Sequence, residues 1–180
     1  GIGMRVRGLQ KLTLLDFPGK MGCTVFLGGC NFRCPFCQNS ELILPGGDEY
    51  EIPEEEFFAF LKKRQGMLDG VCITGGEPLV RKNDLIALCK KHSDCIFLSF
   101  TNATLIDEAF ADDMLRVKNF VPAISVEGDM AAHDGRRGKG SYEKVEKAMK
   151  LLKEKKLPFG VSCCYTSANC DSISSDEFYD

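Results

Sequence analysis

Three cysteines within eight residues, Cys30, Cys34 and Cys37, constrain this chain more than any other feature. Their spacing is C-x3-C-x2-C, inside Gly28-Gly29-Cys30-Asn31-Phe32-Arg33-Cys34-Pro35-Phe36-Cys37, and they follow the β-rich run Cys23 to Leu27. Core cysteines fall at strand or helix periodicity, not in a loop punctuated by Gly, Asn and Pro. A short loop can instead fold three thiolates onto a soft metal centre, and thiolates select iron–sulfur clusters or zinc. Structural zinc takes four closed ligands, commonly two C-x-x-C pairs or a Cys/His combination. No second pair lies nearby, and the only histidines are His92 and His133. Three thiolates on a four-iron cube would leave one iron without a protein ligand, much as a catalytic metal keeps a position open for its substrate.

The rest of the composition narrows the setting. A chain of 180 residues suits one domain with a sizeable core, read as a lead-in over 1–20 and a core domain over 21–180. Gly1-Ile2-Gly3 before Met4 reads as a scar or short tail. A net charge of −3 gives no basic footprint for nucleic acid. No signal peptide and no membrane-spanning apolar run is visible. A reducing, cytoplasmic setting is therefore expected, where clustered cysteines mean metal or redox chemistry more often than disulfides.

Strand and helix signals alternate along the chain. Val6 to Leu15 is a mildly β-like lead-in closed by Asp16, Pro18 and Gly19. A strand over Cys23 to Leu27, the cysteine loop and a break at Pro45-Gly46-Gly47-Asp48 follow. Ile52 to Leu68 reads as a helix, with Pro53 in its first turn and Glu54, Glu55 and Glu56 at its positive end. Val71 to Thr74 is the next strand, and Asn83 or Asp84 can cap a helix to about Lys91. Cys95 to Phe100 and Phe120 to Val126 are strands on either side of a helix over Ile106 to Lys118. Ser141 is an N-cap candidate for a helix with Val145, Ala148, Met149 and Leu152 on one stripe. Pro158 to Tyr165 is a last strand, and Ser174 or Ser175 caps a helical start at Asp176-Glu177-Phe178. Such alternation predicts an α/β fold with a parallel sheet, doubly wound or closed toward a barrel, whose ligands gather at the carboxyl ends of the strands.

Those strand ends carry polar and glycine-rich turns. After the second parallel strand comes Thr74-Gly75-Gly76-Glu77-Pro78, where paired glycines let a ligand approach the backbone. After the third comes Thr101-Asn102-Ala103-Thr104. After the fourth comes Ser125-Val126-Glu127-Gly128, with Ser125 and Glu127 on one side, and then a loop through His133, Asp134, Arg136, Arg137 and Lys139. Cys163, Cys164 and Cys170 lack the regular spacing of a second cluster. Cys23, Cys72, Cys89 and Cys95 sit at strand or helix positions and read as small core hydrophobes. His92 suits a helix C-terminus as a cation.

The triad, with Phe36 before its last cysteine, matches the signature of radical S-adenosylmethionine (radical SAM) enzymes. Gly75-Gly76-Glu77-Pro78, about forty residues further on, looks like the Gly-Gly-Glu-Pro motif of that family. More narrowly, Gly8-Leu9-Gln10-Lys11 through Asp16-Phe17-Pro18-Gly19-Lys20 and on to Gln38-Asn39 resembles the activating proteins of anaerobic ribonucleoside-triphosphate reductases. From Asn83 onward the chain resembles larger radical SAM proteins that modify peptides or cofactors. The resemblance implies a partial (β/α)6 TIM-like barrel, here truncated after about five βα units. It also implies a [4Fe–4S] cluster on Cys30, Cys34 and Cys37, with S-adenosylmethionine (SAM) at its open iron. Gly75, Gly76, Glu77 and Pro78 would hold the SAM amino group, with Phe36 and Asn102 as further cofactor contacts. Ser125 and Glu127 would meet the ribose, and Arg137 or its neighbour Arg136 the methionine carboxylate, which a guanidinium fork matches.

An electron from a flavodoxin- or ferredoxin-type reductant would cleave SAM to a 5′-deoxyadenosyl radical that abstracts hydrogen. The N-terminal likeness implies a glycyl-radical enzyme as partner, and the C-terminal likeness a peptide or small metabolite. An iron–sulfur carrier or zinc-bound module is the non-enzymatic alternative, but it has no use for a Gly-Gly-Glu-Pro turn. The far edge of the last strand needs covering, by a second copy in a homodimer or by Val6 to Leu15 folding back.

Overall fold

The computed structural model describes residues 4–13, 19–43, 51–164, 166–167 and 169–175. Five strands run parallel: β2 (Gly22–Leu27), β3 (Gly70–Gly75), β4 (Ile96–Thr101), β5 (Phe120–Ser125) and β6 (Gly160–Ser162). A sixth, β1 (Val6–Thr13), pairs antiparallel with β2, with Val6 opposite Leu27 and Thr13 opposite Gly22. Strand order equals chain order, β1-β2-β3-β4-β5-β6. A doubly wound sheet reverses direction at a switch point. This sheet winds one way only, so it is an open α/β barrel wall, as the family resemblance implies.

Helices pack on that wall through apolar stripes. Phe57 and Leu61, four apart, are the buried positions of α2 (Glu54–Lys63), whose first turn carries Glu54, Glu55 and Glu56. The helix stops short of the predicted Leu68, in a turn where Gly66 takes φ +80°. A four-residue α1 (Ser40–Ile43) follows the cysteine loop. A 3₁₀ turn, Pro78–Arg81, precedes α3 (Lys82–Lys91), so Asn83 and Asp84 lie inside that helix and do not cap it. Asp107 caps α4 (Glu108–Val117) by accepting from Phe110 N–H at 2.8 Å. Side chains of β2, β3 and β4, among them Val25, Ile73 and Phe97, meet the helices in one core.

Residues 130–137, predicted as loop, form α5 (Met130–Arg137), capped by Asp129 through Ala132 N–H at 2.9 Å. Ser141 is the first residue of α6 (Ser141–Glu154) and does not cap it. Asp134 does so from the neighbouring helix, accepting from Gly140 N–H at 2.8 Å and Tyr142 N–H at 2.9 Å. The chain then forms β6 and a short α7 (Cys170–Ile173).

Several expectations change in detail. The lead-in lies beside β2 at the opposite edge from β6, so it does not cover β6, where Val161 is exposed. His92 follows α3 but is buried, and burial lowers its pKa. It is therefore neutral near pH 7 and not a terminal cation. The turn at Asp16 and Pro18, the break at Pro45–Asp48, the end of the last strand at Tyr165 and the helical start at Asp176–Phe178 lie outside the described residues. Among those described, no helix is long and apolar enough to cross a membrane.

Candidate functional site

The carboxyl ends of the parallel strands surround a cleft of about 260 Å³. The loop after β2 lines it with Cys30, Cys34, Phe36 and Cys37, and the turn after β3 with Gly75, Gly76 and Glu77. Thr101 and Asn102 come from the end of β4, Ser125 from β5, Arg136 and Arg137 from α5, and Cys164 from just beyond β6. Nearly every site residue predicted from sequence therefore meets here. Pro78 does not line the cleft; it is buried as the first residue of the 3₁₀ turn. Glu127 lies behind the two arginines, 2% exposed.

The cysteine loop is held by hydrogen bonds, one of them to a cysteine sulfur. Gly28 N–H donates to Arg5 O at 2.8 Å, and Gly29 N–H to Leu42 O at 2.9 Å. Arg33 reaches back to the carbonyls of Cys30 and Phe32, both at 2.8 Å. Phe32 N–H points at Cys30 Sγ at 3.3 Å. Asn102 Nδ2 donates to Asn31 Oδ1 at 2.9 Å, tying this loop to the one after β4. All three thiols are unpaired and half-buried.

Burial raises the pKa of Cys30 and Cys34; the Phe32 N–H opposes this at Cys30, and Arg137 with Arg136 opposes it at Cys34. Among the described residues no three His, Cys, Asp or Glu side chains converge as one metal ion requires. An iron–sulfur cube takes each thiolate on a different iron, so it needs soft donors spread round a cavity. Three thiols on one cleft wall, with an N–H on one sulfur and cations nearby, fit that demand.

The glycine pair, which lines the cleft, also has a packing role. Gly75 takes φ +111°, and a Cβ there would lie 2.4 Å from Leu27 O. A Cβ on Gly76 would lie 1.8 Å from Gly29 O. On their Cβ sides these glycines are packed against backbone of β2 and the cysteine loop. Gly76 N–H donates to Leu27 O at 2.9 Å and Glu77 N–H to Gly29 O at 2.8 Å. The Gly-Gly turn thus fixes the loop that presents Cys30.

The Glu77 carboxylate is also committed within the protein. Oε1 accepts from Leu79 N–H at 3.0 Å and Thr101 Oγ at 2.7 Å, and Oε2 from Asn102 N–H at 2.7 Å. Burial raises its pKa, against which these three donors act.

Sequence reasoning missed four contributors. His133 Nδ1 accepts from Glu127 N–H at 3.2 Å, and Asp134 caps α6. Asn169 Nδ2 donates to Glu127 O at 3.0 Å and Cys164 O at 2.9 Å, bringing Cys164 to the cleft. The signal was present: Asp129 before Met130-Ala131-Ala132, and Gly138 after Arg137, mark a helix. On it His133 and Arg136 or Arg137, three and four apart, share a face.

The sequence matches the radical SAM superfamily over residues 24–168. This chain belongs to that superfamily. A cysteine-type anaerobic sulfatase-maturating enzyme of Clostridium perfringens is 32% identical over 156 residues, covering 77% of this radical SAM chain and 42% of that protein. An anaerobic ribonucleoside-triphosphate reductase-activating protein of Salmonella typhimurium is 31% identical over 97 residues, covering 51% of this chain and 62% of that protein. The chain thus spans less than two thirds of the length of these curated relatives.

Among solved structures, native anSMEcpe with bound AdoMet has a TM-score of 0.64 at 24% identity, over 84% of this chain and 47% of that one. QueE from Escherichia coli has a TM-score of 0.56 at 16% identity, over 94% and 88%. Both share the fold. Because likeness to the maturating enzyme extends through 77% of the chain, the expected division near Asn83 between two kinds of relative gives way to one radical SAM domain related to both.

Proposed function

We propose that this chain is the core of a radical SAM enzyme that acts on a peptide. The observation that carries the substrate class is the extent of likeness: 77% of the chain for the sulfatase-maturating enzyme, against 51% for the reductase-activating protein. The same fold recurs, at a TM-score of 0.64, in native anSMEcpe with bound AdoMet and Kp18Cys peptide. Glycyl-radical activation, the first expectation, thereby becomes the lesser reading.

In this proposal Cys30, Cys34 and Cys37 hold a [4Fe–4S] cluster. When bound, that cluster supplies one electron to SAM, which then yields the hydrogen-abstracting radical. The protein holds, orients and shields. Phe32 N–H stabilises negative charge on Cys30 Sγ. The guanidinium groups of Arg136 and Arg137 line the cleft and suit the methionine carboxylate of SAM. Ser125 and Asn102 line the cleft as the proposed polar contacts, and Phe36 lines it with an apolar ring. Gly75, Gly76, Glu77 and Pro78 support the site by fixing the cysteine loop and the turn after β4. A flavodoxin- or ferredoxin-type protein is the proposed electron donor.

Anaerobic reconstitution with iron and sulfide tests the proposal. About four irons per chain are expected. Adding SAM and dithionite should yield 5′-deoxyadenosine, faster when a cysteine-bearing peptide is present, with one hydrogen atom of the peptide recovered in the 5′-deoxyadenosine. Zinc without iron after reconstitution would defeat the radical SAM assignment. A glycyl radical formed on a partner reductase, with the peptide untouched, would return the substrate to the first expectation.

A further inference from the structure

Glu127, buried behind the cleft wall, is held through both its backbone and its carboxylate. Its backbone N–H donates to His133 Nδ1 at 3.2 Å, and its carbonyl accepts from Asn169 Nδ2 at 3.0 Å. Oε1 accepts from Arg137 Nε at 3.0 Å and Nη2 at 2.7 Å. Oε2 lies 2.9 Å from Arg136 Nε, an ion pair whose direction falls outside hydrogen-bond geometry. Arg136 is held on its other side by the ring of Phe36, 5.5 Å from guanidinium carbon to ring centroid. Phe36 stands between Cys34 and Cys37. Glu127, Arg136 and Arg137 together carry one positive charge, beside a cleft that the three thiols and Glu77 line.

We propose that Glu127 is a positioning residue that fixes Arg136 and Arg137 at the cleft wall and sets the charge beside the cysteine loop. This rests on the proposed radical SAM function. It replaces the ribose contact that the family resemblance implies for Glu127. Both carboxylate oxygens already face guanidinium groups, and a sugar hydroxyl would have to exchange a charged, buried contact for a neutral one. Cluster potentials follow net charge and hydrogen bonding near the sulfurs. Reduction adds negative charge, so removing the Glu127 charge favours the reduced cluster and removing the Arg136 charge disfavours it.

The test is an EPR-monitored redox titration of the reconstituted protein without SAM, so that no ribose is present. Glu127→Gln should move the cluster midpoint to more positive potential, Arg136→Met to more negative, and Glu127→Asp should stay near the parent. Iron content should be unchanged in all three. If Glu127→Gln does not fold, Arg136→Met decides alone. Iron-loaded variants with the parent's midpoint would overturn this reading and leave the proposed function standing. A parent chain that takes up no iron would overturn both.

Discussion

The carbonyl oxygen of Gly29 stands where a side chain on Gly76 would have to go, 1.8 Å from the Cβ position. Gly29 immediately precedes Cys30, and its carbonyl also accepts from Glu77 N–H at 2.8 Å. Two loops from neighbouring parallel strands are therefore locked backbone to backbone, and the loop that carries the three cysteines is one of them.

Gly76→Ala should accordingly damage the cysteine loop as well as any SAM contact. Overpacking against rigid backbone costs about 1–3 kcal/mol, and backbone offers no rotamer escape, so the upper end is expected. Gly29→Ala is the control. It takes φ +90° with nothing within 4 Å of its Cβ position, so only left-handed strain is added, about 1–2 kcal/mol. Thermal melts and iron per chain after reconstitution check both. A Gly76→Ala protein with full iron and a parent-like melting temperature would contradict the lock.

Glu77 joins the turn after β3 to the end of β4, and Asn102 carries the connection on to Asn31 in the cysteine loop. Glu77→Gln turns one of its acceptor oxygens into a donor facing other donors, at a cost of about 1–3 kcal/mol. Glu77→Ala removes the acceptor for all three donors and should cost more. Urea denaturation measures the loss. If Glu77→Ala unfolds at the parent's midpoint, the carboxylate is not the brace described here.

Much of this site was legible because its chemistry is local in sequence. The C-x3-C-x2-C loop and Gly75-Gly76-Glu77-Pro78 each fall within a few residues, and strand alternation placed both at one end of a sheet. What stayed hidden was relational. Nothing near Gly76 reveals that Gly29 fills its empty side, because the partner is a carbonyl and every residue has one. The capping of α6 by Asp134 was masked by Ser141, a good cap residue at the expected position. Residues 130–137 read as loop because Gly135 and the paired arginines weaken an apolar stripe. The pairing of Glu127 with Arg136 and Arg137 follows only once that segment is known to be helical.

Acid should weaken the fold through both histidines. His133 is fully buried, and its Nδ1 accepts from Glu127 N–H, so a proton there would set donor against donor. Burial lowers its pKa first and Arg137 adds to this, against Glu127 and Asp134. Burial lowers that of His92 as well, with Lys91 acting the same way and Asp94 against it. The unfolded chain thus takes up protons near the ordinary value of 6.5 before the folded chain does. Stability should be full above that pH and fall below it, by up to about 1.4 kcal/mol per pH unit for each histidine. His133→Asn keeps an acceptor for Glu127 N–H without the titration. Its stability should be flatter than the parent's between pH 6.5 and lower values, and equal slopes would remove His133 from the account.

Alkali should weaken the fold through thiols that lie away from the cleft. Cys23 and Cys89 are fully buried with pKa values pushed up to about 12, and Cys95 to about 11, chiefly by burial. Cys95 also donates to Leu68 O at 3.3 Å, a bond that only the protonated thiol can make. Unfolding releases these groups to their ordinary value of 9.0, so above that pH the unfolded state holds fewer protons than the folded one. Stability should hold up to about pH 8 and then fall, by up to about 1.4 kcal/mol per pH unit for each thiol. Cys23→Ala and Cys89→Ala should each lower stability at neutral pH, because a sulfur's packing is lost, yet make the alkaline decline shallower. Denaturant midpoints taken from neutral to alkaline pH separate the two effects. Iodoacetamide at neutral pH gives the complementary readout on the metal-free protein: Cys30, Cys34 and Cys37 should be alkylated while Cys23, Cys89 and Cys95 are spared. Rapid labelling of Cys23 or Cys89 would mean that the interior opens far more readily than its burial implies, and the alkaline prediction would fall with it.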